Sequence, residues 1–158
     1  MKAFVRSADA RDLPIVSELL GRTWHATYDD LYGSDEVGKI TSSWHSVEAL
    51  RGQLEAPHSE FLVADTGERI VGMAYARMTH GDTAHLFQLY VDPEAQGTGL
   101  GRALLEELLG CFPDARGMVL EVADRNEKAI GFYTHHGFVE AERDSEGGID
   151  TVILERPI

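Results

Sequence analysis

Leu89-Tyr90-Val91-Asp92-Pro93-Glu94-Ala95-Gln96-Gly97-Thr98-Gly99-Leu100-Gly101-Arg102 is the stretch whose reading decides the fold. Apolar β-formers at 89–91 end a strand, Asp92-Pro93 turns the chain, and three alternate glycines open an amphipathic helix. On that helix Leu100, Leu104, Leu105, Leu108 and Leu109 face inward, while Glu106 and Glu107 face water. Glycine has no Cβ, so the backbone amides from 97 to 102 can approach a ligand closely. The free N–H groups of a helix's first turn, with the helix dipole, form an anion site. Spacing excludes two phosphate-binding classes. G-x-G-x-x-G counted from Gly97 requires glycine where Arg102 stands, and a P-loop requires a Gly-Lys pair that this stretch lacks.

Outward from this turn the pattern alternates between strand and helix. Lys2 to Arg6 reads as a first strand, followed by a helix with Asp12 as N-cap, Pro14 in its first turn, and Leu13, Val16, Leu20 and Trp24 on one face. From Tyr28 to Trp44 the pattern loosens, with Gly33 and Gly38 as breaks and one short helix. Ser46 caps another helix to Leu54. Phe61–Ala64, Arg69–Arg77 and His85–Val91 form an antiparallel meander, because turns at 65–68 and Gly81-Asp82 are too short for crossovers. Met118–Val122 reads as a buried strand reached through the helix that starts at 100, so it runs parallel to its predecessor. A helix from Asn126 to His135 ends at Gly137. Phe138–Glu142 and Thr151–Leu154 close the sheet around a loop at Asp144 to Gly148. The expected fold is α/β: one domain over residues 1–158, with a mainly antiparallel mixed sheet of six or seven strands and helices on both faces.

With 158 residues, 43% hydrophobic and 26% charged, the chain suits one globular core. No apolar run approaches the roughly 20 residues of a membrane span, and the N-terminus lacks a signal-like apolar region. Cys111 is the single cysteine, which excludes an internal disulfide and fits a cytoplasmic location. Lys plus Arg number 14 against 27 Asp plus Glu, a formal charge of −13. That surface disfavours nucleic acid and anionic membrane, and it favours cationic partners or simply serves solubility. The seven histidines show no metal-ligand spacing, so no metal is expected. His25 and His85 stand within reach of an acceptor pocket or serve ordinary packing.

Gln96-x-x-Gly99-x-Gly101 resembles the Q/R-x-x-G-x-G/A signature of the GCN5-related N-acetyltransferases. The resemblance continues through the strand Met118-Val119-Leu120-Glu121-Val122, then Asn126, Ala129, Phe132-Tyr133 and Gly137-Phe138. It covers about Phe61 to Phe138 and is loose before Tyr28.

The resemblance implies acetyl transfer from acetyl-CoA, as co-substrate, directly to an amine. Backbone groups of Leu89, Tyr90 and Val91 would bind the pantetheine arm, and a strand amide would polarise the thioester carbonyl. The amides of Gly97, Thr98, Gly99, Leu100, Gly101 and Arg102 would hold the pyrophosphate beside Gln96, with Arg102 adding charge or merely lying on the surface. Valine at 99 or 101 would then occupy the phosphate's space. Tyr133 matches the family's acid for the departing thiolate; packed beside Phe132, it also reads as a core aromatic. Glu121 matches a proposed base of the ribosomal-protein N-terminal acetyltransferase branch, with a structural ion pair as the alternative. Asn126 would bond the pantetheine region, cap the last helix, or do both. Trp24 and Tyr28, with Tyr32, Asp29 and Asp30, suggest an aromatic and acidic mouth for a cationic amine, or simply close the core. A homodimer is compatible with the resemblance. The rival readings are transfer of another acyl group and a CoA-binding regulatory module without catalysis.

Overall fold

The computed structural model describes residues 2–145 and 149–158. Glu146, Gly147 and Gly148 of the expected closing loop lie outside the described residues. Chain order is β1 (Phe4–Ser7), α1 (Leu13–Tyr32), α2 (Ser34–Trp44), α3 (Val47–Glu55), β2 (Ser59–Asp65), β3 (Ile70–His80) and β4 (Thr83–Val91). It continues with α4 (Leu100–Gly110), β5 (Gly117–Ala123), α5 (Glu127–His135), β6 (Val139–Asp144) and β7 (Thr151–Pro157). The strands form one sheet in the order β1-β2-β3-β4-β5-β7-β6. Among the described residues only β4 and β5 pair in parallel, as the helical crossover between them requires.

Side-chain alternation gives the sheet two cores. On one face Leu62, Val71, Ala74, Leu86 and Leu120 pack with Leu104, Leu105 and Leu108 of α4 and Tyr133 of α5. On the other, Phe61, Val63, Met73 and Tyr75 pack with Val16, Leu19 and Leu20 of α1 and Leu50 of α3.

Two N-terminal expectations change. Asp12 stands at the N-cap of α1 but makes no side-chain cap bond. Its carboxylate instead accepts the Asp9 amide at 2.8 Å and both Arg6 terminal nitrogens at 2.9 Å, a set that includes a bidentate Arg–carboxylate pair no cap bond would supply. The 28–44 region is more helical than its pattern suggests. Only Gly33 breaks it, at φ 88°, and α2 runs through Gly38, where a Cβ would lie 3.9 Å from His25 Cε1 on α1. Packing against α1 overrides the weak propensity there.

A candidate cofactor and acceptor cleft at the fork of β4 and β5

The β4–β5 ladder stops early. Pairing runs from Thr83↔Gly117 to Leu86↔Leu120, whereas β4 stays on β3 to Val91↔Gly72 and β5 stays on β7 to Ala123↔Thr151. The register shift on β4 leaves Phe87 unmatched between Leu86 and Gln88, directly after the last parallel pair. Such a bulge bends its strand and raises the local twist. Past it the two strands diverge, and a cleft of about 1200 Å³ opens beside the freed end of β4, lined also by α1, the glycine turn and the start of α5.

Which β4 groups face the cleft follows from the ladder. The Asp92 amide donates to Val71 O at 2.8 Å, so by alternation Tyr90 also directs its backbone to β3, while Leu89 and Val91 turn theirs to the open side. The expectation for the three backbones therefore narrows to Leu89 and Val91. Tyr90 is among the residues lining the cleft, and its ring lies 6.4 Å from that of Trp24. Its phenol is pushed far above the ordinary value by burial, with Tyr28 and Tyr133 adding and the Trp24 indole opposing.

The glycine turn forms the next wall. Asp92, 3% exposed, accepts the Glu94 amide at 3.0 Å and pairs with Arg22 of α1 at 2.7 Å, which anchors the turn. Gly99 is the N-cap of α4 at φ 86°, a left-handed conformation in which no side chain caps the helix. The first-turn amides of Leu100, Gly101 and Arg102 thus have no intrahelical acceptor. A Cβ built at Gly97 or Gly99 meets nothing within 4 Å, so the cradle stays open. At Gly101 it would come within 3.3 Å of Phe132 Cε1. Valine at 101 would therefore strike an α5 ring, which corrects the expectation that it would meet only phosphate. Gln96 donates to Val91 O at 3.1 Å and accepts from Lys128 Nζ. Arg102 lines the cleft, and its exposed side chain pairs with Glu106 of its own helix at 2.9 Å. Thr98 turns its hydroxyl to Ala95 O at 2.6 Å and does not line the cleft.

Helix α5 supplies the third wall. Tyr133 is 8% exposed and lines the cleft; burial raises its phenol well above the ordinary value, and Tyr28 adds to this. The Phe132 and Tyr133 rings stand at 77°, so adjacent aromatics serve different surroundings. Asn126 lines the cleft and caps α5, its Oδ1 accepting the Ala129 amide at 3.1 Å. Its Nδ2 donates to the Tyr28 hydroxyl at 3.0 Å.

Four expected site residues lie outside the lining: Thr98, Trp24, Tyr28 and Glu121. Trp24 and Tyr28 meet at 4.6 Å with their rings tilted by 45°; Tyr28 is 5% exposed and packs as a core residue, whereas Trp24 is only partly buried. The α1 residues facing the cleft are Thr23, Ala26, Thr27, Asp30 and Leu31. This stripe of small and polar residues at three- and four-residue spacing was the available signal. Glu121 is exposed, which corrects the picture of a carboxylate inside a buried strand. It is the first β5 residue beyond the last β4 pair, on the face opposite Leu120, and accepts the Thr151 hydroxyl. Among the described residues, no group of three or more His, Cys, Asp or Glu is placed to hold a metal ion. No described helix is long and apolar enough to cross a membrane.

Residues 21–138 match the family model of the Acetyltransferase (GNAT) family. The chain belongs to the GNAT acetyltransferase family. GNAT relatives include the [ribosomal protein bS18]-alanine N-acetyltransferase of Escherichia coli (strain K12), 41% identical over 86 residues, covering 49% of this chain and 57% of that protein. The phosphinothricin N-acetyltransferase of Alcaligenes faecalis is 32% identical over 111 residues, covering 62% of this chain and 56% of that protein. The chain spans about half the length of these curated relatives. The crystal structure of PaiA N-acetyltransferase from Thermoplasma acidophilum in complex with coenzyme A superposes with a TM-score of 0.92. It is 23% identical, each chain is covered over 100% of its length, and the likeness establishes the shared GNAT fold.

Proposed function

We propose that this protein transfers the acetyl group of acetyl-CoA directly to an amine within a ternary complex. The observation that carries the reading is one continuous cleft joining an uncapped helix start, the freed edge of β4 and a buried tyrosine. These residues fit the cofactor: Gly97 and Gly99 leave open space, and the α4 amides suit a pyrophosphate. Bound there, acetyl-CoA supplies the activated acyl group. The Leu89 and Val91 edge offers a fixed N–H donor for charge developing on the thioester oxygen. Tyr133 stays protonated across the working pH range and donates its proton to the departing thiolate. Glu121, at the fork, relieves the incoming ammonium of a proton through water.

The amine enters beside α1, where Asp30 lines the cleft and the formal charge of −13 favours a cationic acceptor. Acetyl-CoA is a cytoplasmic metabolite, and the activity is proposed to run there. The test is thiol release from acetyl-CoA with a panel of small amines, amino-terminal peptides and lysine peptides. Turnover with at least one amine, absent without it, is the expected result. A preference for succinyl- or propionyl-CoA would change the acyl group. CoA binding without turnover on any acceptor would replace the enzyme by a binding module.

A further inference from the structure

We propose that Tyr28 is a positioning residue. It fixes the Asn126 amide so that the one Nδ2 hydrogen left over by the fold points into the cleft for a carbonyl of the cofactor's pantetheine arm. The inference rests on the acetyl-CoA reading above. Its chemistry begins with the amide's four hydrogen-bonding valences. The Ala129 amide can only donate, so the Asn126 atom facing it at 3.1 Å must be the oxygen. That choice forces Nδ2 toward Tyr28, whose hydroxyl accepts one of its two hydrogens at 3.0 Å. Among the described residues no hydrogen bond uses the second hydrogen, and Asn126 lines the cleft. With both ends of the amide held, its plane is fixed and the remaining donor has one direction.

Tyr28 is well built for this task. It is 5% exposed, and its ring is held between Trp24 at 4.6 Å and Tyr32 at 5.7 Å. The neighbouring residue adds a second tie between the same elements: Arg125 Nη1 donates to Leu31 O at 3.0 Å, and its guanidinium lies 5.7 Å from the Tyr32 ring centre. The start of α5 is thereby registered against α1. A pre-oriented donor binds its acceptor without losing rotamer freedom, so the arm is held more tightly.

The experiment compares Tyr28→Phe, Asn126→Ser and the double variant, since serine retains an oxygen to cap α5. Calorimetry measures CoA and adenosine 3′,5′-bisphosphate, which lacks the pantetheine arm. Tyr28→Phe should weaken CoA by about 3- to 10-fold, as expected for one hydrogen bond, with the adenosine bisphosphate unaffected. The KM for acetyl-CoA should rise in step, with the change falling on KM rather than kcat. In the Asn126→Ser background, Tyr28→Phe should add nothing. Unchanged CoA affinity, equal weakening of both ligands, or additive effects would each overturn the proposal. Wild-type protein that binds no CoA would remove the acetyl-CoA reading itself, whereas tight CoA binding in every variant would remove only the role of Tyr28.

Discussion

Gly101 and Phe132 share one space: a Cβ on the first would lie 3.3 Å from Cε1 of the second. Position 101 belongs to the first turn of α4 and position 132 to α5, so the two helices that wall the cleft meet where one has no side chain. Gly99, two residues earlier, has empty space around its missing Cβ and a left-handed backbone.

The two glycines should therefore fail differently. Gly99→Ala should strain the helix start by about 1–2 kcal/mol and weaken CoA binding through the displaced amides. Gly101→Val should push Phe132 and lower Tm as well as affinity. Thermal melts with and without CoA separate the cases. Unchanged CoA affinity in both folded variants would mean that the glycines serve the backbone and its packing alone.

Tyr133→Phe keeps the ring and removes the proton. If the phenol protonates the thiolate, kcat should fall roughly 10²- to 10⁴-fold with little change in the KM for acetyl-CoA. Near-normal turnover would leave solvent as the proton source. A large fall in Tm would instead mark a core aromatic.

Glu121 is open to solvent at the fork. Glu121→Gln should slow turnover chiefly on the acidic limb of the pH–rate profile, where the amine acceptor is protonated. A uniform loss at all pH values would point to its Thr151 hydrogen bond as structural.

His45 is 2% exposed, and burial lowers its pKa from 6.5 to about 4. Folding therefore holds it neutral while the unfolded chain takes up a proton, so stability falls as pH drops from about 6.5 towards 4. The loss should reach about 2 kcal/mol between pH 7.5 and 5. Urea midpoints for wild type and His45→Gln at both pH values test this. An undiminished pH slope in the variant would exclude His45 as its source.

Asp12, 6% exposed, ties the chain ends of β1 and α1 through Arg6, which also meets Asp65 at 3.0 Å. The Arg6 hydrogen bonds hold its carboxyl below the ordinary carboxylate range, with burial opposing. Its stabilisation is present above the unfolded value and lost as pH falls through the lowered one. Asp12→Ala should cost about 2–4 kcal/mol by leaving a half-buried Arg6 without its principal partner. A change below about 0.5 kcal/mol in denaturant melts would place the pair among ordinary surface contacts.

Local patterns in the chain determined the order of elements, the antiparallel meander, the parallel step from β4 to β5 and the glycine-opened helix of the cleft. Each is written in neighbouring residues: alternation in 61–91, the leucine period of 100–109, and glycine where a helix cap would otherwise stand. The expectations for Tyr133 and Asn126 came from the family resemblance, and both residues line the cleft. Only the tertiary structure decided which groups face the cleft. One unmatched residue at Phe87 separates β4 from β5, and its consequences fall on distant partners. Tyr90 gives its backbone to β3, Glu121 emerges into solvent, and Tyr28 turns from the mouth to hold Asn126 across 98 positions of sequence. Strand register and the burial of an aromatic depend on what packs against them, and a pattern read along the chain does not contain that neighbour.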